Sequence, residues 1–172
     1  SWFITRKSHV RYTLYSSLGE LRQELGRLGL AQSRSATGTR YRPEPSAGAA
    51  TDIEVRYSGA YSSAFRYLQD LNRYRWIRNG EDALDASGQA VYADAVLVAS
   101  VPARLIPDDP EGRLYVPLRG GPATLYLRGQ AVPGRWESGG VRFVTALGEA
   151  VNLAAFKTWV VFAPESATVT VE

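Results

Sequence analysis

The chain has 172 residues, a mass of 18.9 kDa and a formal net charge of +3, with 45% hydrophobic and 22% charged residues. That is one globular domain's worth of chain, able to bury roughly 70% of its unfolded surface, and it excludes disordered and collagen-like polymers. The absence of cysteine and methionine and the presence of one histidine exclude thiol nucleophiles, disulfides, cysteine-based zinc or iron–sulfur centres and histidine-rich metal cages.

The chain opens on a short apolar run, Trp2-Phe3-Ile4-Thr5, that reads as a strand. Ser17-Leu18-Gly19-Glu20 has the spacing of a capping box: the serine accepts from the amide of Glu20, and the glutamate reaches back to the amide of Ser17. Leu18, Leu21, Leu25 and Leu28 follow at helical spacing on one face, and Gly29 stands where a left-handed carboxyl cap belongs. An amphipathic helix is therefore predicted over 17–28, docked on a sheet by its leucine stripe. Residues 31–50 are small, polar and rich in Gly and Pro, without apolar period, and read as a loop or linker. Residues 1–50 carry eight basic and three acidic residues, and the remainder twelve and fourteen. The amino-terminal third could face an anionic surface, although charge runs are usually solvated faces. A start at Ser1 without any Met predicts a processed or excised fragment, with any signal or lipid-attachment segment upstream.

From Asp52 the pattern changes to period two. Ile53, Val55 and Tyr57 alternate with Asp52, Glu54 and Arg56, and Phe65-Arg66-Tyr67 and Tyr74-Arg75-Trp76-Ile77 continue the alternation. Asn79-Gly80 is a tight-turn signal, and Asp85-Ala86-Ser87-Gly88 is a second turn. Ala95-Val96-Leu97-Val98-Ala99 is apolar on both faces, as a buried central strand is. Strands are read at Leu114-Tyr115-Val116, Leu125-Tyr126-Leu127, Arg135-Trp136, Val141–Val144, Thr158–Phe162 and Thr168–Val171. Turns are read at Gly120-Gly121-Pro122, Gly129, Pro133-Gly134 and Gly139-Gly140. About ten short strands predict an α+β, β-rich fold. It is an antiparallel sheet, sandwich or barrel-like domain over 51–172, preceded by a strand–helix segment over 1–30 and a linker over 31–50.

Candidate chemistry is sparse. His9 is the one group that titrates near neutrality unaided, and it sits among Arg6, Lys7, Arg11 and Tyr12. A serine triad would need it as base, and no Gly-x-Ser-x-Gly elbow accompanies any serine. Glycosidase chemistry needs two carboxylates, which seventeen acids do not exclude. Asp108, Asp109 and Glu111 lack calcium-loop spacing and read as a turn. Ten tyrosines and four tryptophans interleaved with arginine could stack on single-stranded nucleic acid or sugar rings, with Tyr74-Arg75-Trp76 the sharpest case. Plain strand packing also favours aromatics there.

The order of motifs carries a resemblance. Arg6-Lys7-Ser8-His9-Val10-Arg11-Tyr12-Thr13 leads into the capped helix. Then follow Ile53–Ser58, the Tyr74…Asn79-Gly80…Asp85…Gly88 run, the Val-Leu-Val strand, Gly134-Arg135-Trp136 and Lys157-Thr158-Trp159-Val160. This resembles the carboxyl-terminal half of the YerB-like bacterial lipoproteins, a family carrying a domain of unknown function. The resemblance implies an envelope location, a lipid-anchored amino terminus and a preceding domain, with no established activity. The chain departs from that family's pattern at Ala83, where a histidine is often expected, at Trp76, where an arginine is often expected, and at Ser8-His9-Val10.

The reading that follows is an extracytoplasmic, non-catalytic binding or structural module, membrane-anchored through an upstream segment, whose partner is another envelope protein or an anionic wall polymer. The ligand-binding candidates are His9, Arg11, Tyr12, Tyr74, Arg75 and Asp85. No catalytic residue, metal or cofactor is expected. The alternatives are an envelope hydrolase or transferase using paired carboxylates and, less favoured, a single-stranded nucleic-acid binding module.

Overall fold

The computed structural model describes residues 4–8, 11–15, 23, 27, 41–43, 49–110, 112–137 and 142–172, the first two stretches by their backbone alone. The chain divides into two compact units, Ser1–Ser35 and Ala36–Glu172. In the first unit, β1 (Ile4–Ser8) pairs antiparallel with β2 (Arg11–Tyr15), running from Ile4 opposite Tyr15 to Ser8 opposite Arg11. The helix predicted over 17–28 and its docking lie outside the described residues, except that Gln23 and Arg27 have helical backbone. No helix of that span is present among the described residues, and none there is long and apolar enough to cross a membrane.

The second unit holds two sheets. One has the order β14-β13-β12-β11-β8-β15, built from β8 (Ala95–Val101), β11 (Gly121–Leu127), β12 (Gln130–Glu137), β13 (Arg142–Thr145), β14 (Ala150–Val151) and β15 (Thr158–Pro164). The other has the order β16-β3-β4-β5-β6, built from β3 (Asp52–Ser58), β4 (Tyr61–Leu68), β5 (Arg73–Arg78), β6 (Glu81–Asp82) and β16 (Thr168–Val171), and β7 (Tyr92–Ala93) also pairs with β5. A small hairpin of β9 (Arg104–Leu105) and β10 (Leu114–Tyr115) stands apart. Neither large sheet closes into a barrel, and β15 runs parallel to β8, so the expected antiparallel, barrel-like alternative gives way to a sandwich of two open sheets with one parallel pair.

Strand β8 explains the arrangement. Its odd residues, Ala95, Leu97, Ala99 and Val101, enter one core with Leu125, Leu127, Val132, Trp136 and Phe143. Its even residues, Val96 and Val98, enter a second core with Ile53, Val55, Phe65 and Tyr74 of the other sheet. The period-two pattern read at Ile53, Val55 and Tyr57 is the wall of that second core, and the double-faced apolar run at 95–99 is the strand the two cores share.

Two backbone positions fix how the strands approach. Pro133-Gly134, which reads as a turn, lies inside β12, between Thr124 and Ala123 on one side and Thr145 opposite Gly134 on the other. A Cβ on Gly134 would stand 2.2 Å from the Val144 carbonyl oxygen, so the strand needs glycine for close approach and not for a bend. The real turn is Arg128-Gly129, with φ of 55° and 71°, the mirror-image type that a two-residue hairpin favours. The buried Tyr74 hydroxyl accepts from the Gly129 amide at 3.0 Å and faces the Ala50 carbonyl at 3.5 Å, which ties the two sheets together. Burial pushes the Tyr74 phenol well above its usual range, against the opposing effect of the Gly129 amide.

Two outcomes follow. Gly134→Ala overpacks the β12–β13 contact and should lower the unfolding free energy by about 1–3 kcal/mol or more in urea titrations. Tyr74→Phe strands the Gly129 amide and should cost about 1–3 kcal/mol near neutral pH. The folded phenol resists ionisation, whereas the unfolded one titrates near pH 10. The native chain should therefore lose stability as pH rises past about 10, and Tyr74→Phe should lose less over that interval. Equal alkaline losses in both proteins would contradict the buried hydroxyl.

Candidate functional site

The side chains with most chemistry gather where β5 turns into β6. Asn79 and Gly80, with φ of 51° and 85°, form the tight turn that the Asn-Gly pair predicts, and the Asn79 side-chain oxygen accepts from the Ser62 amide at 2.9 Å. The turn brings residues 81–84 back beside β5. Trp76, Arg78, Asn79, Glu81, Asp82, Ala83 and Leu84 then line an open cleft of 540 Å³.

Trp76 is the apolar wall of this cleft, and it is held on every side. Its amide donates to the Val91 carbonyl at 3.0 Å, and its carbonyl accepts from the Ala83 amide at 3.0 Å. Its indole Nε1 donates to Ser63 Oγ at 2.7 Å. Its ring lies 4.2 Å from that of Trp159, which lies 6.3 Å from Phe65. Ala83 and Trp76, two of the positions at which the sequence departs from the pattern the resemblance implies, are thus hydrogen-bonded neighbours in one cleft. At the edge of the cleft the Arg78 guanidinium sits 5.6 Å over the Tyr61 ring, and Tyr61 is 5.2 Å from Tyr57. Half-buried and exposed rings therefore continue from Trp159 through Trp76 towards the β3–β4 turn.

Alternation sorts the predicted binding residues. Tyr74 faces inward and is fully buried, so it is a packing and latching residue with no surface for a ligand. Arg75 faces the other side, where its guanidinium pairs with the Asp82 carboxylate and its Nε is buried without a hydrogen-bond partner. Asp85 caps its own turn: its carboxylate accepts from the Ser87 hydroxyl at 2.6 Å and from the amides of Ser87 and Gln89 at 2.8 and 3.0 Å. Those bonds, the Ser87 hydroxyl first, hold the Asp85 carboxyl below its usual range. Arg11 and Tyr12 lie on β2, opposite Ser8 and Lys7, and their side chains lie outside the described residues, as does His9 altogether. Of the predicted set only Arg75 reaches the cleft, and it does so through Asp82.

Arg78, Glu81 and Asp82 carry no signal in their residue type, and Asn79 carries only that of the turn. The signal that would find them is geometric. Period two puts Trp76 and Arg78 on the face of Tyr74, and an Asn-Gly turn lays the next four residues alongside.

The nucleic-acid alternative needs Tyr74, Trp76 and Trp136 exposed on one basic face. Tyr74 and Trp136 are buried in different cores, and Trp136 packs 5.4 Å from Phe162, so that platform does not exist. The acidic run is a turn, as expected for Asp108 and Asp109: Asp109 pairs with Arg113 at 2.7 Å, and Glu111 lies outside the described residues. Among the described residues no three metal-ligating side chains converge. Another cleft, of 420 Å³, is lined mainly by residues of β8, β11, β12 and β15, with Glu165 its one charged group.

Comparison with curated proteins gives no match. Among solved structures the chain is similar to the crystal structure of YerB protein from Bacillus subtilis, at a TM-score of 0.68 and 17% identity, over 99% of this chain and 60% of that one. At that identity the likeness shows the fold alone, and the chain spans 60% of the length of the YerB chain. A family model described as "Protein of unknown function (DUF3048) C-terminal domain" matches residues 53–160, the stretch that runs from β3 to β15 and contains the Trp76 cleft, and the chain belongs to that family.

Proposed function

We propose that this domain is a non-catalytic binding module of the bacterial cell envelope, held outside the cytoplasm through an upstream segment, and that it grips a wall polymer. The observation that carries this reading is the pinned, half-buried Trp76 at the wall of an open cleft, continued by Arg78, Tyr61 and Tyr57. A row of fixed rings beside polar side chains suits a long ligand of repeated units better than a small substrate, because each ring adds contact at little conformational cost. The resemblance to YerB-like lipoproteins supports the location. The basic amino-terminal third would add a salt-sensitive contact to anionic parts of such a polymer.

The carboxylate-hydrolase alternative would place two acids across a deep cleft. The acids here, Glu81 and Asp82, are neighbours on one short strand, and Asp82 is already held by Arg75. Holding a chain is therefore the better use of the arrangement.

Co-sedimentation with purified bacterial wall sacculi tests the reading. The domain should pellet with the walls at micromolar concentration, and Trp76→Ala should reduce the bound fraction by about tenfold, as expected for loss of a central aromatic anchor. Failure of the native domain to pellet at low and high salt would remove wall binding. Capture of a single envelope protein in place of the wall would point to the protein partner.

A further inference from the structure

We infer that the Trp76 cleft takes an uncharged sugar ring, so that the part of the polymer held here is its neutral glycan and not its anionic groups; this deepens the binding reading above and rests on it. The argument starts from what Trp76 has left to offer. Its amide, its carbonyl and its indole Nε1 are all engaged, with Val91, Ala83 and Ser63. Only its carbon surface remains for a ligand. Trp159 supports that surface at 4.2 Å, so the ring is fixed before anything binds.

Around the ring the polar groups are mixed and the charges balanced. Arg78 and the Asn79 side-chain nitrogen can donate and Glu81 can accept, whereas the Asp82 carboxylate turns to Arg75 on the other face of β5. Asp82 is neutralised by Arg75, and Arg78 and Glu81, opposite each other in the β5–β6 register, bring one charge of each sign. An anionic group entering here meets no surplus of positive charge. A pyranose has one face of C–H bonds and a rim of hydroxyls that both donate and accept. That is the complement of a bare indole face ringed by donors and acceptors. The 540 Å³ of the cleft also falls within the roughly 300–1,000 Å³ of small-ligand sites. A stacked nucleobase would bring phosphates, and the cleft offers them one guanidinium, on Arg78, set opposite Glu81 in the β5–β6 register.

The test is an intrinsic-fluorescence titration of the 172-residue chain with a neutral tetramer of β-1,4-linked N-acetylglucosamine, with polyglutamate as the anionic comparison. The tetramer should give a saturable change in tryptophan emission. Its affinity should change less than twofold between about 0.1 and 1 M salt, over which the screening length falls from about 10 to about 3 Å. Trp76→Ala should weaken binding about tenfold or more. Should that variant fail to fold, Glu81→Ala, at an exposed position, should still weaken the tetramer severalfold while leaving the melting temperature in place. Wall co-sedimentation that depends on Trp76 without any tetramer binding would overturn the sugar assignment and leave the binding reading standing. Tighter binding of polyglutamate than of the tetramer at the cleft would overturn it as well. Loss of both wall and tetramer binding would remove the two together.

Discussion

Strand β8 is buried on both faces, and the rest of the domain is arranged around that constraint. A two-sided apolar strand needs a core on each side, so Ala95, Leu97 and Ala99 must find one set of partners and Val96 and Val98 another. Its register is therefore strict: a slip of one residue would exchange the two sets. Antiparallel β11 and parallel β15 inherit that register, with Leu125 and Val160 both opposite Leu97. Through β15 it reaches the candidate site, because pairing Trp159 with Val96 puts the indole under Trp76. The ring that faces the cleft is positioned by a strand in the other sheet.

The site and the latch come from one strand read at period two. On β5, Tyr74 turns its hydroxyl into the inter-sheet core, Arg75 turns out to Asp82, and Trp76 turns back in, near the open end. Adjacent residues thus do unrelated work. Tyr74 fastens the Arg128-Gly129 turn, Arg75 balances the charge beside the cleft, and Trp76 supplies its wall.

Local signals carried most of the legible structure. The alternation at Ile53–Tyr57, the Asn79-Gly80 turn, the Asp85–Gly88 turn and the double-faced run at 95–99 all depend on neighbours in sequence, and each is found where the residues place it. Pro133-Gly134 misleads because the same residues that make turns also admit close strand approach, and only the position of the Val144 carbonyl decides between them. The parallel β8–β15 pair is invisible for another reason: it joins residues some sixty apart, with no turn between them to announce it. The β1–β2 pair is invisible too, because Ile4–Ser8 and Arg11–Tyr15 lie next to each other in sequence with no Gly, Asn or Pro in either strand or between them. Among the site residues, Tyr74 and Arg75 were legible as an aromatic and basic pair, but which face each takes depends on the core. Trp76 is marked in the sequence both as part of the aromatic and basic run Tyr74-Arg75-Trp76 and as a departure from the pattern the resemblance implies, but the groups that pin it, Ala83 and Ser63, are visible only in the fold.

Native-state amide hydrogen exchange tests the central claim most directly. If β8 is the strand both cores share, the amides of Val96 to Ala99 should exchange only through global unfolding. Those of edge strand β16, exposed along its length, should exchange through local opening. Exchange of the β8 amides as fast as those of β16 would show that the two cores do not meet on that strand, and the placement of Trp159 under Trp76 would lose its basis.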